Sequence, residues 1–187
     1  LNLFKGRKLL IGVSGSIAAV KIPLLVSDLI KAGADVRCIV TPSAANLISP
    51  LSLSTLSRNR CYQDQDQWNP LQTKPLHIEL SEWAEILILA PLSASSLSKW
   101  AGGLAEGLLA SVLLAFDKSI VAAPAMNTSM WENPAIKRNW ATVLKYKNTL
   151  CLSPESGLLA CDRTGEGKMV SPDLIKLGIE SELINSK

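Results

Sequence analysis

The stretch from Lys8 to Val40 constrains the fold more than any other part of the chain. It reads "KLLIGV", a short apolar run with β-branched residues, then "SGS", then an apolar-periodic stretch ended by Gly33, then "DVRCIV". Strand, helix and strand in so short a span form a βαβ unit, and such crossovers join parallel strands. The theme recurs. "EILILA" (85–90) precedes "PLSASSLSKWAGG", "SIVAA" (119–123) precedes "PAMNTSMW", and "TLCLS" (149–153) reads as a last strand. These strands are almost continuously apolar, so both sheet faces must be covered by helices. The expected fold is α/β: a doubly wound, mostly parallel sheet with helices on both faces, a Rossmann-like or flavodoxin-like three-layer arrangement. One domain is expected over residues 1–187. Pro23 is expected to kink the first helix, because it removes a backbone hydrogen bond.

Composition narrows the function classes. With 48% hydrophobic and 19% charged residues in 187, the chain can bury one sizeable core. A net charge of +3 without any basic run argues against nucleic acid. Lys, Asp or Pro interrupts every apolar run before membrane-spanning length, so no membrane is expected. "LNLFKGRKLLIGV" lacks the pattern of a secretion signal. Cys38, Cys61, Cys151 and Cys161 have no C-x-x-C spacing, which points to reduced thiols, no metal and a cytoplasmic location.

Ligands of open α/β sheets bind beyond the carboxyl ends of the strands. Four loops there are unusual. In "GVSGSIAA" (12–19), small residues and a helix start suit a single phosphate, with Ser14 and Ser16 as hydroxyl donors. The same residues also read as a tight turn with a serine cap. In "TPSAANLISP" (41–50), Thr41 and Ser43 could complete that site or cap a helix. "APLSASSLSKWAGGLAEGLL" (90–109) offers a flat hydroxyl-and-alanine surface, or a helix packed close to the sheet. "SGLLACDRTGEGKM" (156–169) is long, Gly-rich and expected to be irregular, with Cys161 beside Asp162 and Arg163 as a candidate reactive thiol. His77, in "KPLHIELSEWAE", is the one histidine, either a structural hydrogen bonder or the proton-handling group. "PAMNTSMW" (124–131) sets an amide, two thioethers and an indole at a strand mouth.

Together, "GVSGSIAAVK", "HIELSEWAEILILAPLSASSLSKWAGGLAEGLL", "APAMNTSMWENP" and "LLACDRTGEGKM" resemble the homo-oligomeric flavin-containing cysteine decarboxylases. The likeness runs from about Lys8 to about Ile175. Its cysteine-bearing loop is similar to that of the branch acting on 4′-phosphopantothenoylcysteine. The resemblance implies FMN as cofactor and decarboxylation of that substrate to 4′-phosphopantetheine in coenzyme A biosynthesis. The route implied is thiol oxidation, CO₂ loss and re-reduction of the enethiol. It implies Gly15, Ser16, Ile17, Thr41 and Ser43 at the FMN phosphate and ribityl chain, and Ser93, Ala94, Ser95 and Ser96 along the flavin. His77, Asn127 and Cys161 are implied as catalytic, Asn127 on the substrate carboxylate and Cys161 as acid. Met126, Met130 and Trp131 are implied as apolar walls, and Ala160 and Lys168 as further substrate contacts in a clamp over 158–169. A homo-oligomer is implied, a trimer or a dodecamer of trimers, with His77 reaching a site completed by a neighbour. The chain departs from the family pattern at Ser95, Glu106, Asp162 and Lys168, the last standing where arginine is usual. The alternative is a non-catalytic FMN-binding protein of the same fold.

Overall fold

The computed structural model describes residues 2–160 and 164–185. Its main sheet contains β1 (Lys8–Val13), β2 (Asp35–Val40), β3 (Cys61–Tyr62), β4 (Ile86–Leu92), β5 (Ser119–Pro124) and β6 (Thr149–Cys151). All neighbours are parallel, in the order β3-β2-β1-β4-β5-β6. The expected doubly wound α/β fold is present. Along β1, Leu9, Ile11 and Val13 enter one hydrophobic cluster and Leu10 the other, all fully buried. That is the physical reason for the unbroken apolar strands: neither face meets water.

One face is covered by α1 (Ile22–Lys31), α2 (Pro42–Ala45), α3 (Pro50–Ser57) and, near the chain end, α9 (Pro172–Asn185). The other carries α4 (Leu76–Trp83), α5 (Ala94–Ala101), α6 (Leu108–Ala115), α7 (Thr128–Trp131) and α8 (Pro134–Val143). Among the described residues, no helix is long and apolar enough to cross a membrane.

Two expectations are corrected. Pro23 does not kink a long helix. A 3₁₀ turn over Ile17–Lys21 comes first and α1 starts at Ile22, so Pro23 stands in the first turn, where its missing N–H had no intrahelical acceptor to lose. The Gly-rich stretch after residue 155 is not irregular. It contains β7 (Glu155–Leu158) and β8 (Thr164–Lys168), paired antiparallel as a separate ribbon. Glycines weaken strand propensity, and here the close approach of β8 to the main body requires them.

The sheet order places a topological switch between β1 and β4. From β1 the chain moves outward to β2, and from β4 outward to β5, so a crevice opens beyond their carboxyl ends.

Candidate active site

The crevice is a cavity of about 960 Å³. That lies near the top of the about 300–1,000 Å³ range of small-molecule sites, room for a nucleotide and a second ligand. Its floor is built by hydroxyl-capped helix starts. Ser16 caps the 3₁₀ turn, accepting from Ala18 N–H at 3.5 Å. Thr41 Oγ1 accepts from Ala44 N–H at 3.3 Å to cap α2, and Ser93 Oγ accepts from Ser96 N–H at 3.3 Å to cap α5. The helix-cap reading and the ligand-site reading therefore hold for the same residues, since a capped helix start still presents its remaining N–H groups and positive dipole end.

Ser14 corrects the sequence-based expectation. It is 1% exposed, and its hydroxyl donates to Pro91 O and accepts from Ser93 N–H, both at 2.7 Å. It ties the β1 loop to the β4 loop and has no bond left for a phosphate. Gly15 supplies the space instead. A Cβ there would stand 2.5 Å from Ser43 Cβ, so only glycine lets these two loops close into a cradle.

The opposite wall comes from the end of β5. Asn127 caps α7, and its Oδ1 accepts from Met130 N–H at 2.8 Å. This bond fixes which way the amide is turned, and leaves its NH₂ as the group offered to a ligand. Met126 is 9% exposed and Met130 45%, and both line the cavity. Trp131 was expected as a wall but lies in the core. It is 3% exposed, meets Trp140 edge-on at 5.5 Å, and takes no part in the lining.

β8 closes this side. Gly167 O accepts from Met126 N–H at 3.0 Å. Gly167 has φ +131°, and a Cβ there would overlap Met126 O; a Cβ on Gly165 would overlap the Thr128 side chain. The two glycines let strand backbone lie directly on the 126–128 loop, and Lys168 then reaches the cavity.

The cavity thus gathers Gly15, Ser16, Ile17, Thr41, Ser43, Ser93, Ala94, Ser95, Ser96, Met126, Asn127, Met130, Ala160 and Lys168. His77 is not among them. It sits half-buried in the first turn of α4, where its carbonyl accepts from Ser81 Oγ at 2.6 Å. Cys161 lies outside the described residues. Among the lining residues that the sequence reading gave no role are three charged ones: Lys21, Asp64 and Lys99. Lys99 pairs with Glu106 at 3.0 Å, and Asp64 Oδ1 accepts from Leu108 N–H at 2.9 Å, capping α6. Lys21 and Lys99 lie within "GVSGSIAAVK" and "PLSASSLSKWAGG", where nothing local marks either lysine as facing the cavity, and Asp64 lies outside every such stretch.

The other cysteines are held as thiols. Burial, with the Asp66 charge adding, pushes Cys61 up to about 12, and burial pushes Cys151 up to about 11. Cys38 is raised well above the ordinary range by burial and then by Cys61. None of the three is ionised at neutral pH, so none is an activated nucleophile.

The model of the Flavoprotein family matches residues 2–183. A phosphopantothenoylcysteine decarboxylase of Arabidopsis thaliana is 40% identical over 173 residues, covering 90% of this chain and 81% of that protein. The coenzyme A biosynthesis bifunctional protein CoaBC of Bacillus subtilis is 38% identical over 178 residues, 94% of this chain but 43% of its own length. The chain therefore spans less than half of the bifunctional relative. Among solved structures, a cysteine-to-serine variant of PPC decarboxylase complexed with pantothenoylaminoethenethiol superposes with a TM-score of 0.87 at 36% identity, covering 95% of this chain and 98% of that one. The FMN binding protein AtHal3 gives 0.86 at 36%, covering 98% and 99%.

Proposed function

The chain belongs to the Flavoprotein family, and from that premise we propose that it decarboxylates 4′-phosphopantothenoylcysteine to 4′-phosphopantetheine with FMN, a step of coenzyme A biosynthesis. The observation that carries this reading is the meeting of Asn127, Met126 and Met130 with a hydroxyl-capped cradle across one cavity. The relatives named as phosphopantothenoylcysteine decarboxylases, and a structural neighbour complexed with pantothenoylaminoethenethiol, support it.

The residues present fit FMN. The Gly15–Ser43 approach leaves a cradle that a Cβ would fill, and the Ser16 and Thr41 caps flank it. Gly15, Ser16, Ile17, Thr41 and Ser43 would hold the phosphate and ribityl chain, and Ser93 to Ser96 the ring system. When bound, FMN supplies a reversible hydride acceptor, which a cysteine carboxylate needs because direct loss of CO₂ would leave an unstabilised carbanion.

The protein's part is to bind and orient. Asn127 donates its amide N–H to the substrate carboxylate, in an orientation set by the Met130 N–H bond. Met126 and Met130 thin the water around that carboxylate, favouring the less polar state on the way to CO₂. Lys168 neutralises the substrate phosphate as a point charge, without the two-pronged grip of arginine. Cys161 acts as the acid that returns a proton to the enethiol.

His77 completes the site of a neighbouring copy, and the assembly is a trimer or a multiple of one. Ile17 and Val20 support this: both line the cavity yet remain more than half exposed, so its apolar rim continues onto open surface. The whole chain acts as one catalytic unit in the cytoplasm, where its thiol substrate stays reduced.

The test is product mass. FMN-loaded protein supplied with 4′-phosphopantothenoylcysteine should yield 4′-phosphopantetheine and CO₂. Tight FMN binding with substrate returned unchanged would instead establish the non-catalytic alternative.

A further inference from the structure

At the corner where α7 meets α8, outside the cavity, Lys137 lies against the Trp131 indole, its Nζ 4.5 Å from the ring centroid. It faces two carboxylates from different elements. Glu132, just past α7, is 3.1 Å away, and Glu166, on β8, is 3.8 Å away. The ring and Glu132 hold the ammonium in place. Glu166 is then drawn to a charge already fixed, so little additional side-chain freedom is lost on the lysine's side. Among the described residues this is the ion pair that joins β8 to the main body, and Glu166 is next to Gly167, whose carbonyl accepts from Met126 N–H.

We propose that Lys137 is a positioning residue: through Glu166 it sets the docking of β8 on the 126–128 loop, and so places Lys168 in the cavity. Glycine packing gives that docking its shape, and the ion pair sets how much of the time it is made. The pair is partly exposed, with side-chain exposures of 40% for Lys137 and 42% for Glu166. Its influence is therefore modest and screened by salt. Removing it should shift the docking equilibrium about two- to five-fold. Only the kinetic part of the test rests on the decarboxylase reading.

Amide hydrogen exchange at Met126 reports docking directly, because that N–H is released only when β8 leaves. In FMN-loaded protein, Lys137→Met and Glu166→Gln should each speed exchange at Met126 by about two- to five-fold, with β1 amides unchanged. The double variant should be no faster than either single one. Raising NaCl from about 0.05 to about 0.5 M should speed exchange in the unaltered protein but not in the variants. With substrate, KM should rise by the same factor at unchanged kcat. Unchanged exchange in Glu166→Gln, effects that multiply in the double variant, or salt insensitivity of the unaltered protein would each overturn the proposal. An effect confined to Glu132→Gln would reduce Lys137 to a local helix pair and overturn it equally. Absence of all turnover would refute the decarboxylase reading while leaving the exchange result to decide this one.

Discussion

The two walls of the cavity are built on opposite principles. The wall at β1, β2 and β4 is stitched by buried hydrogen bonds: Ser14 alone joins Pro91 O and Ser93 N–H. The wall at β8 rests on glycines against the 126–128 loop, a main-chain bond to Met126 and a partly exposed ion pair. The first arrangement is costly to open, because each buried group left alone forfeits its desolvation energy. The second opens at the cost of one main-chain bond, between the buried Met126 and Gly167, and a screened pair. Under the proposed function, a cofactor cradle gains from the first and a substrate-facing wall from the second.

The sharpest break of this contrast is at Asn127, which caps a helix and lines the cavity. Asn127→Asp keeps an oxygen for Met130 N–H, so stability should hold, but it replaces the donor with a negative charge facing the substrate carboxylate. Turnover should fall by about 10²–10³-fold at an unchanged melting temperature. A matching loss of stability would mean that the cap, not the donor, was being measured.

Gly167→Ala attacks the glycine wall alone. The added carbon meets Met126 O at a φ that alanine resists, so β8 must lift. KM should rise at least about tenfold, since more than 1.4 kcal/mol of docking is at stake. FMN affinity, measured by quenching of flavin fluorescence, should stay within a factor of two or so of the original. Weakened flavin binding would show that the walls are not independent.

Ser14→Ala attacks the stitched wall. It leaves Pro91 O and Ser93 N–H without their partner and should cost about 1–3 kcal/mol in urea unfolding. FMN should bind more weakly, while the salt sensitivity of Met126 exchange stays as before.

The smallest effect is with pH. Cys38 and Cys61 have raised pKa values in the folded state, so the unfolded chain loses these protons first. Their contribution is complete below the ordinary thiol value of 9.0 and is lost as pH rises above it, for Cys61 toward about 12 and for Cys38 through its own raised value. The urea midpoint should fall between pH 9 and pH 10.5 or so, and Cys61→Ala should flatten the fall. An equal slope in that variant would assign the loss to other groups.

What the sequence made legible follows the same division. The strands of the stitched wall were readable because full burial writes itself as unbroken apolar runs; the expected bounds of the first two strands match β1 and β2. The hairpin was missed because its glycines are selected for contact with another segment, which erases the local strand signal. Ser14 was misread for a related reason: a serine in a Gly-rich turn looks the same from sequence whether its partner is a ligand or a loop 77 residues away. Trp131 was assigned to the cavity by its motif, yet a four-residue helix turns its indole inward to Trp140. Asn127, Met126 and Met130 were legible because one short motif carries all three to the cavity.

Asp64 caps α6 from outside that helix, and the 3₁₀ segment Asp64–Trp68 is itself closed by reciprocal bonds between Gln63 and Asp66. Trp68, at the end of that segment, is 80% exposed. A bare indole on a floppy loop would lose much of its freedom on meeting another surface. This one is borne on a braced stem anchored to the helix beneath it, so the entropic toll of immobilising it has largely been met during folding.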